Sequence, residues 1–212
     1  MIQPKLHSRF EGGVALDVLS WRLATPMLVA ATAVSGGGLG TRHWILNIQV
    51  PHEYARRDVE HHVRQIAGHF DLREDGVAML TAVPVRGVLH EHEKGLDAYV
   101  TVGVRKPTWA ASDAEVVNDG TEPGTINVVA FLPVRVTPGA LLNALTTATE
   151  AKAQALWDVG IAGTGTASDA VCIACPLGGD EEMFLGPRSV WGSRLARAVH
   201  RAVVRGARSE WA

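Results

Sequence analysis

Thr125 to Leu132 is an almost unbroken apolar run, and Ala170 to Pro176 is a second one. A strand with one face in water alternates apolar and polar residues, whereas a strand covered on both faces does not. Two such runs therefore demand a sheet with layers packed on both sides. Between them, Thr137 and Pro138 read as the N-cap and first position of a helix, since proline lacks only an N–H that would be orphaned there. Leu141, Leu145, Ala148, Lys152 and Leu156 continue that helix to a stop at Gly160. Ser189 caps a last helix, with Leu195, Val199 and Val203 on one face.

The first half begins with strands. Val14–Leu23, Met27–Val34 and His43–Val50 are apolar or alternating runs separated by Thr25-Pro26 and by Ser35-Gly36-Gly37-Gly38, and they predict an antiparallel meander. Asp58 stands before Val59, Val63, Ile66 and Phe70, which have helical spacing. Val77–Val83 and Ala98–Val104 are further strands, and residues 106–123 form a polar, turn-rich loop. These elements predict an α/β (α+β) fold: a mixed β-sheet with helices packed on it, in a single domain over residues 1–212.

Charge and hydropathy exclude several classes. Twenty Lys and Arg against 22 Asp and Glu leave a net charge of −2, which gives no electrostatic case for nucleic acid. The stripe Arg194, Arg197, Arg201, Arg205 and Arg208 reads as a solvated helix face, with an acidic partner as the alternative. Pro26–Val34 is about half of the ~20 apolar residues a membrane span needs, and Met1–Phe10 carry no apolar core of a signal peptide. Only two cysteines are present, which suits a reducing cytoplasm. The chain is expected to be cytoplasmic, with no membrane partner and with homo-oligomerisation left open.

Cys172 and Cys175 have zinc-knuckle spacing but no second pair, and on a strand an odd spacing sends the thiols to opposite faces. They read as buried small hydrophobes. His90 and His92 would share one strand face and suit a metal, although Glu91 and Glu93 equally suggest a solvated turn. His61, His62 and His69 read as the polar face of a helix.

Two stretches carry chemistry. Gly124-Thr125-Ile126-Asn127 opens a buried strand with small and hydrogen-bonding residues. The loop from Gly160 to Asp169 contains Gly163, Thr164, Gly165, Thr166 and Ser168 and closes on the Asp169 carboxylate. Glycines admit a ligand to backbone N–H groups, hydroxyls donate or attack, and a carboxylate orients or deprotonates.

Taken in chain order, five blocks resemble the adenosylcobinamide amidohydrolase (CbiZ) family. They are Trp44-Ile45-Leu46-Asn47-Ile48-Gln49-Val50-Pro51, Pro123-Gly124-Thr125-Ile126-Asn127, and Thr149-Glu150-Ala151-Lys152-Ala153-Gln154-Ala155-Leu156. The Thr164-Gly165-Thr166 loop ending in Asp169-Ala170-Val171, and Arg197-Ala198-Val199, complete the set. The resemblance implies hydrolysis of the amide joining a corrin propionyl side chain to aminopropanol, with a small-molecule corrinoid as partner, and it carries over no cofactor and no metal. Departures from the family pattern are Ala167-Ser168 in place of Gly-Thr, Trp191-Gly192-Ser193 in place of Leu-Gly-Glu, and the charged Val104-Arg105-Lys106. They leave a non-catalytic corrinoid-binding protein as the alternative. For the hydrolase, Asp169 is assigned as base or orienting group, with water or a Thr164, Thr166 or Ser168 hydroxyl attacking. Asn127, Asn47 and loop N–H groups are assigned to the oxyanion. Glu150 and Lys152 stand two apart on a helix, so one faces the site and the other solvent. Thr125, Lys152, Gly163, Gly165, Asn47 and Trp44 are assigned to the substrate, with Trp44 or Trp109 lining a wide apolar cleft.

Overall fold

The computed structural model describes residues 2–112 and 124–210. The strands are β1 (Lys5–Glu11), β2 (Val14–Ala31), β3 (Gly38–Gln49), β4 (Gly76–Thr81), β5 (Leu89–Glu93), β6 (Leu96–Val102), β7 (Ile126–Phe131), β8 (Arg135–Val136), β9 (Ala170–Cys175) and β10 (Glu181–Glu182). The helices are α1 (Val59–His69), α2 (Pro138–Asp158) and α3 (Val190–Glu210). One mixed sheet has the order β4-β3-β2-β9-β7-β6-β5, with β1 paired to the free half of β2, and β10 and β8 form a separate pair. The predicted mixed α+β sheet is the observed one.

The sheet curls until β3 faces β6, four places away in strand order: Asn47 Nδ2 on β3 donates to Thr101 Oγ1 on β6 at 3.0 Å. Its inner face encloses Trp21, Tyr99 and Phe131, whose rings lie 5.5–6.3 Å apart between centroids. On the outer face, α1 covers Val18, Trp44, Leu46 and Ile48. The helices α2 and α3 cover Val100, Val128 and Ile173. Strands β6, β7 and β9 are thus buried on both sides, as their continuous apolar runs require.

The predicted break at Thr25-Pro26 is absent. β2 runs through it as one strand of 18 residues, with a register shift between Arg22 and Met27. Proline cannot donate to a ladder, and a bulge is where a strand tolerates one. The strand β1 escaped the sequence reading because its alternation is mixed and most of its residues remain partly exposed. Asp58 precedes α1 but makes no side-chain cap. Its carboxylate instead takes two hydrogen bonds from Arg56, at 2.9 and 2.6 Å, which hold it down at about 2. Thr137 does cap α2, accepting the Ala140 N–H at 3.1 Å, and Ser189 Oγ accepts the Gly192 N–H at 3.0 Å. Of the predicted loop 106–123, residues 113–123 lie outside the described residues.

Cys172 faces the inner core and Cys175 the helices, so their odd spacing does separate them. Burial pushes the Cys172 thiol up to about 12. His62 corrects the polar-face reading of α1: it is 4% exposed and bonds Tyr54 Oη through Nδ1 at 2.9 Å. The Arg stripe finds its acidic partner within the chain, because Arg197, Arg201 and Arg205 pair with Glu91 and Glu93 of β5. The opposite face of β5 presents His90 and His92, which both bond Oδ1 of the buried Asp97 at 2.9 Å. No helix among the described residues is long and apolar enough to cross a membrane.

Candidate active site

Strands β7 and β9 are parallel neighbours in the register Asn127 to Ala170, so the loop before each ends at the same edge of the sheet. Alternation along β9 turns Asp169 toward α2 and Ser168 toward the inner face. Asp169 is a saturated carboxylate. Its Oδ1 accepts the Ile126 N–H at 2.8 Å and the Thr166 hydroxyl at 2.5 Å. Its Oδ2 accepts the Thr166 N–H at 3.0 Å and an ammonium hydrogen of Lys152. Only 9% of the Asp169 side chain and 8% of the Lys152 side chain are exposed. Four charge-assisted or backbone donors on this carboxylate fix the loop around it.

Gly165 lies directly over this pair. A Cβ there would sit 2.3 Å from both Asp169 Oδ2 and Lys152 Nζ, so any side chain would displace the pair. At Gly163 a Cβ would come within 2.9 Å of Thr108 N. That contact marks a strap, residues 106–112, laid across the loop. Thr108 N donates to Gly165 O at 2.8 Å, Thr164 N to Thr108 O at 2.9 Å, and Ala110 N to Thr164 Oγ1 at 3.0 Å.

The predicted residues divide by face. Asp169, Thr166, Lys152 and Gly165 form one cluster on the α2 side. Ser168 and Thr125 share a hydroxyl contact of 2.8 Å at the same edge. Asn127 and Asn47 meet below them, 1% and 2% exposed. Asn127 Nδ2 donates to Asn47 Oδ1 at 2.9 Å and to Leu80 O at 3.3 Å. These two bonds use both of its amide hydrogens, and Asn127 Oδ1, an acceptor, is left buried without a partner. An oxyanion needs donors, so the structure does not bear Asn127 out in that role.

Three other assignments also change. Of the two helix residues, Lys152 faces the cluster and Glu150 is exposed on the surface of α2, so Glu150 is not brought to the site. Trp44 lies under α1, 7% exposed, with Nε1 donating to Glu74 O at 2.7 Å, and lines no cleft. The Thr164 hydroxyl donates to Thr108 O at 3.3 Å and accepts from the strap, so it holds the loop and does not reach Asp169.

Trp157, near the end of α2, was missed by sequence reading. It is 71% exposed and meets Trp109 of the strap edge to face. The network beside a cavity of about 460 Å³ between β1 and α1 was missed as well. There Arg9 pairs with Glu11, which also contacts His62 at 3.3 Å. These partners are remote in sequence and share no motif. Among the described residues no three His, Cys, Asp or Glu side chains group as a metal site.

Comparison with known proteins bears on what this arrangement serves. The family model described as adenosylcobinamide amidohydrolase matches residues 3–212. An adenosylcobinamide amidohydrolase of Methanosarcina mazei is 27% identical over 179 residues, covering 80% of this chain and 85% of the relative. One from Halobacterium salinarum is 31% identical over 169 residues, covering 74% of this chain and 70% of the relative. With a match running from the first strand to the chain's last residue, this protein belongs to the adenosylcobinamide amidohydrolase family.

Proposed function

We propose that the whole chain acts as one hydrolase domain on adenosylcobinamide, cutting the amide between a corrin propionyl side chain and 1-amino-2-propanol. Water adds across the C–N bond. The acyl carbon gains an oxygen and leaves as the carboxylate of adenosylcobyric acid, and the nitrogen gains a proton and leaves as the amine. The family match over residues 3–212 carries this reading. The freed acid would return to cobalamin synthesis in the cytoplasm, a setting that agrees with two free cysteines.

The hydrogen bonds around Asp169 support a division of labour. Two backbone N–H groups and Lys152 occupy its other acceptor positions, so the hydroxyl proton Asp169 is placed to take is that of Thr166. Thr166 is half-buried and so open to a ligand. Its oxygen, or a water held on it, is the attacking group in this reading. Lys152 provides fixed positive charge beside the oxygen that becomes negative. Ser168, exposed and held by the buried Thr125 hydroxyl, offers its own hydroxyl to the polar side chains of the corrinoid. Asn47 and Asn127 hold the edge of the sheet in shape beneath them.

The departures from the family pattern leave this network whole, which disfavours the non-catalytic alternative. Ala167 is exposed, Ser168 keeps its hydroxyl on Thr125, and the Ser193 hydroxyl donates to Val190 O at the start of α3. The test is incubation of the purified protein with adenosylcobinamide and mass analysis of the products. Adenosylcobyric acid and aminopropanol in equal amounts are expected. Intact substrate after incubation with folded protein that binds it would refute the hydrolase reading.

A further inference from the structure

Trp157 and Trp109 are 71% and 43% exposed, while Trp21 and Trp44 are 1% and 7% exposed in the cores. The exposed pair meets at 6.5 Å between centroids with planes at 68°. Tryptophan is highly buried on average, so two that stay in solvent side by side form a patch that a folding argument does not require. Their placement is built. Trp109 follows Thr108, whose N–H and C=O both bond the 164–165 segment, and Gly165 lies against Lys152 and Asp169. Trp157 stands on α2, the helix that carries Lys152. The strap therefore holds Trp109, and Trp157 through its contact with Trp109, beside the loop that carries Gly165.

We infer that the Trp109–Trp157 pair seats the corrin ring of the substrate. The occupant's identity rests on the hydrolase reading; the placement of the rings does not. One ring offers its face and the other its edge at a steep angle, leaving an apolar notch. The rim of a broad, methyl-bearing macrocycle fits such a notch. Seating the ring there places it beside the strap and loop that carry Gly165 and Thr166, while the ring stays outside the sheet. The pair sets affinity and position and does not touch the reacting atoms.

The test uses Trp157→Ala, Trp109→Ala and the control Met183→Ala, which alters an exposed apolar residue outside this patch. Dissociation constants for dicyanocobinamide, which has the corrin ring but no adenine, are measured by equilibrium dialysis. KM and kcat are measured with adenosylcobinamide. Each tryptophan variant is expected to raise both Kd and KM roughly 10- to 100-fold, the worth of one large apolar contact, and to change KM more than kcat. The control should match the parent. Unchanged Kd and KM in an active enzyme overturn the inference and leave the hydrolase reading standing. Tryptophan-dependent binding without any turnover overturns the hydrolase reading and keeps the inference. Weaker binding of adenosylcobinamide alone would assign the rings to adenine and overturn the corrin seat. A parent that neither binds nor cleaves a corrinoid overturns both.

Discussion

Replacing Asp169 by asparagine keeps the shape of the side chain and removes its charge. It also turns one acceptor oxygen into a donor. If the amide nitrogen takes the place of Oδ2, it meets Lys152 and the Thr166 N–H; if it takes the place of Oδ1, it meets the Ile126 N–H. Neither orientation satisfies the site, and Lys152 is left charged and 8% exposed. Breaking a buried pair from one side costs about 3–5 kcal/mol. For a chain of this size Tm moves by about 2–4 °C per kcal/mol, so a loss of roughly 6–20 °C is expected. Lys152→Met is milder, at about 1–3 kcal/mol, because the carboxylate keeps two N–H groups and a hydroxyl. The double variant no longer strands a charge, so its loss should fall short of the sum by about 2 kcal/mol. Urea and thermal unfolding of the four proteins at pH 7 measure the cycle. Additive losses within about 0.5 kcal/mol, or an Asp169→Asn protein as stable as the parent, would refute the reasoning.

Thr166→Val should lower kcat on adenosylcobinamide by roughly 10²–10⁴-fold, whereas Thr164→Val, which removes only the two hydroxyl contacts to the strap, should lose far less; equal losses measured by product formation would contradict this division. Burial, only partly offset by Glu11 and reinforced by Arg56 and Arg9, pushes the His62 imidazole below its ordinary value. The unfolded chain then takes up that proton first, so stability present above about pH 6.5 is lost as pH falls below it. His62→Gln should therefore show a smaller drop in Tm between pH 7 and pH 5 than the parent, and equal drops would rule out His62 as the source.

Much of the fold was legible because packing wrote it into periodicity. Strands β7 and β9 sit between layers, so nothing polar interrupts them, and Thr137-Pro138 marks the start of α2 where the chain needs a cap. The reading failed where the answer depends on partners far away in the chain. Pro26 looks like a break until β3 is seen to shift register beside it. Lys152 and Glu150 are equivalent in sequence, and only the position of β9 decides which one is buried. Hydroxyls and glycines before Asp169 marked a loop rich in hydrogen-bonding groups, but not that the carboxylate would be consumed by four donors. Trp44 looked like a cleft residue because nothing local says that α1 covers it.

The two halves of the large sheet are joined by strand pairing along one short seam, where Leu28–Ala31 of β2 lies against Cys172–Cys175 of β9. The partners are more than 140 residues apart in the chain. During synthesis the pairing that joins the two halves therefore cannot form until β9 leaves the ribosome, although Tyr99 and Phe131, which face Trp21, are made earlier. Such distant pairings slow folding, because the chain must be ordered before the contact rewards it. The edge that carries Asp169 is assembled in the same event, since β7 and β9 begin there. A chain stalled before residue 170 has the loop, the strap and Lys152 but lacks the strand that anchors Asp169 beside β7, so the cluster is completed together with the closed sheet.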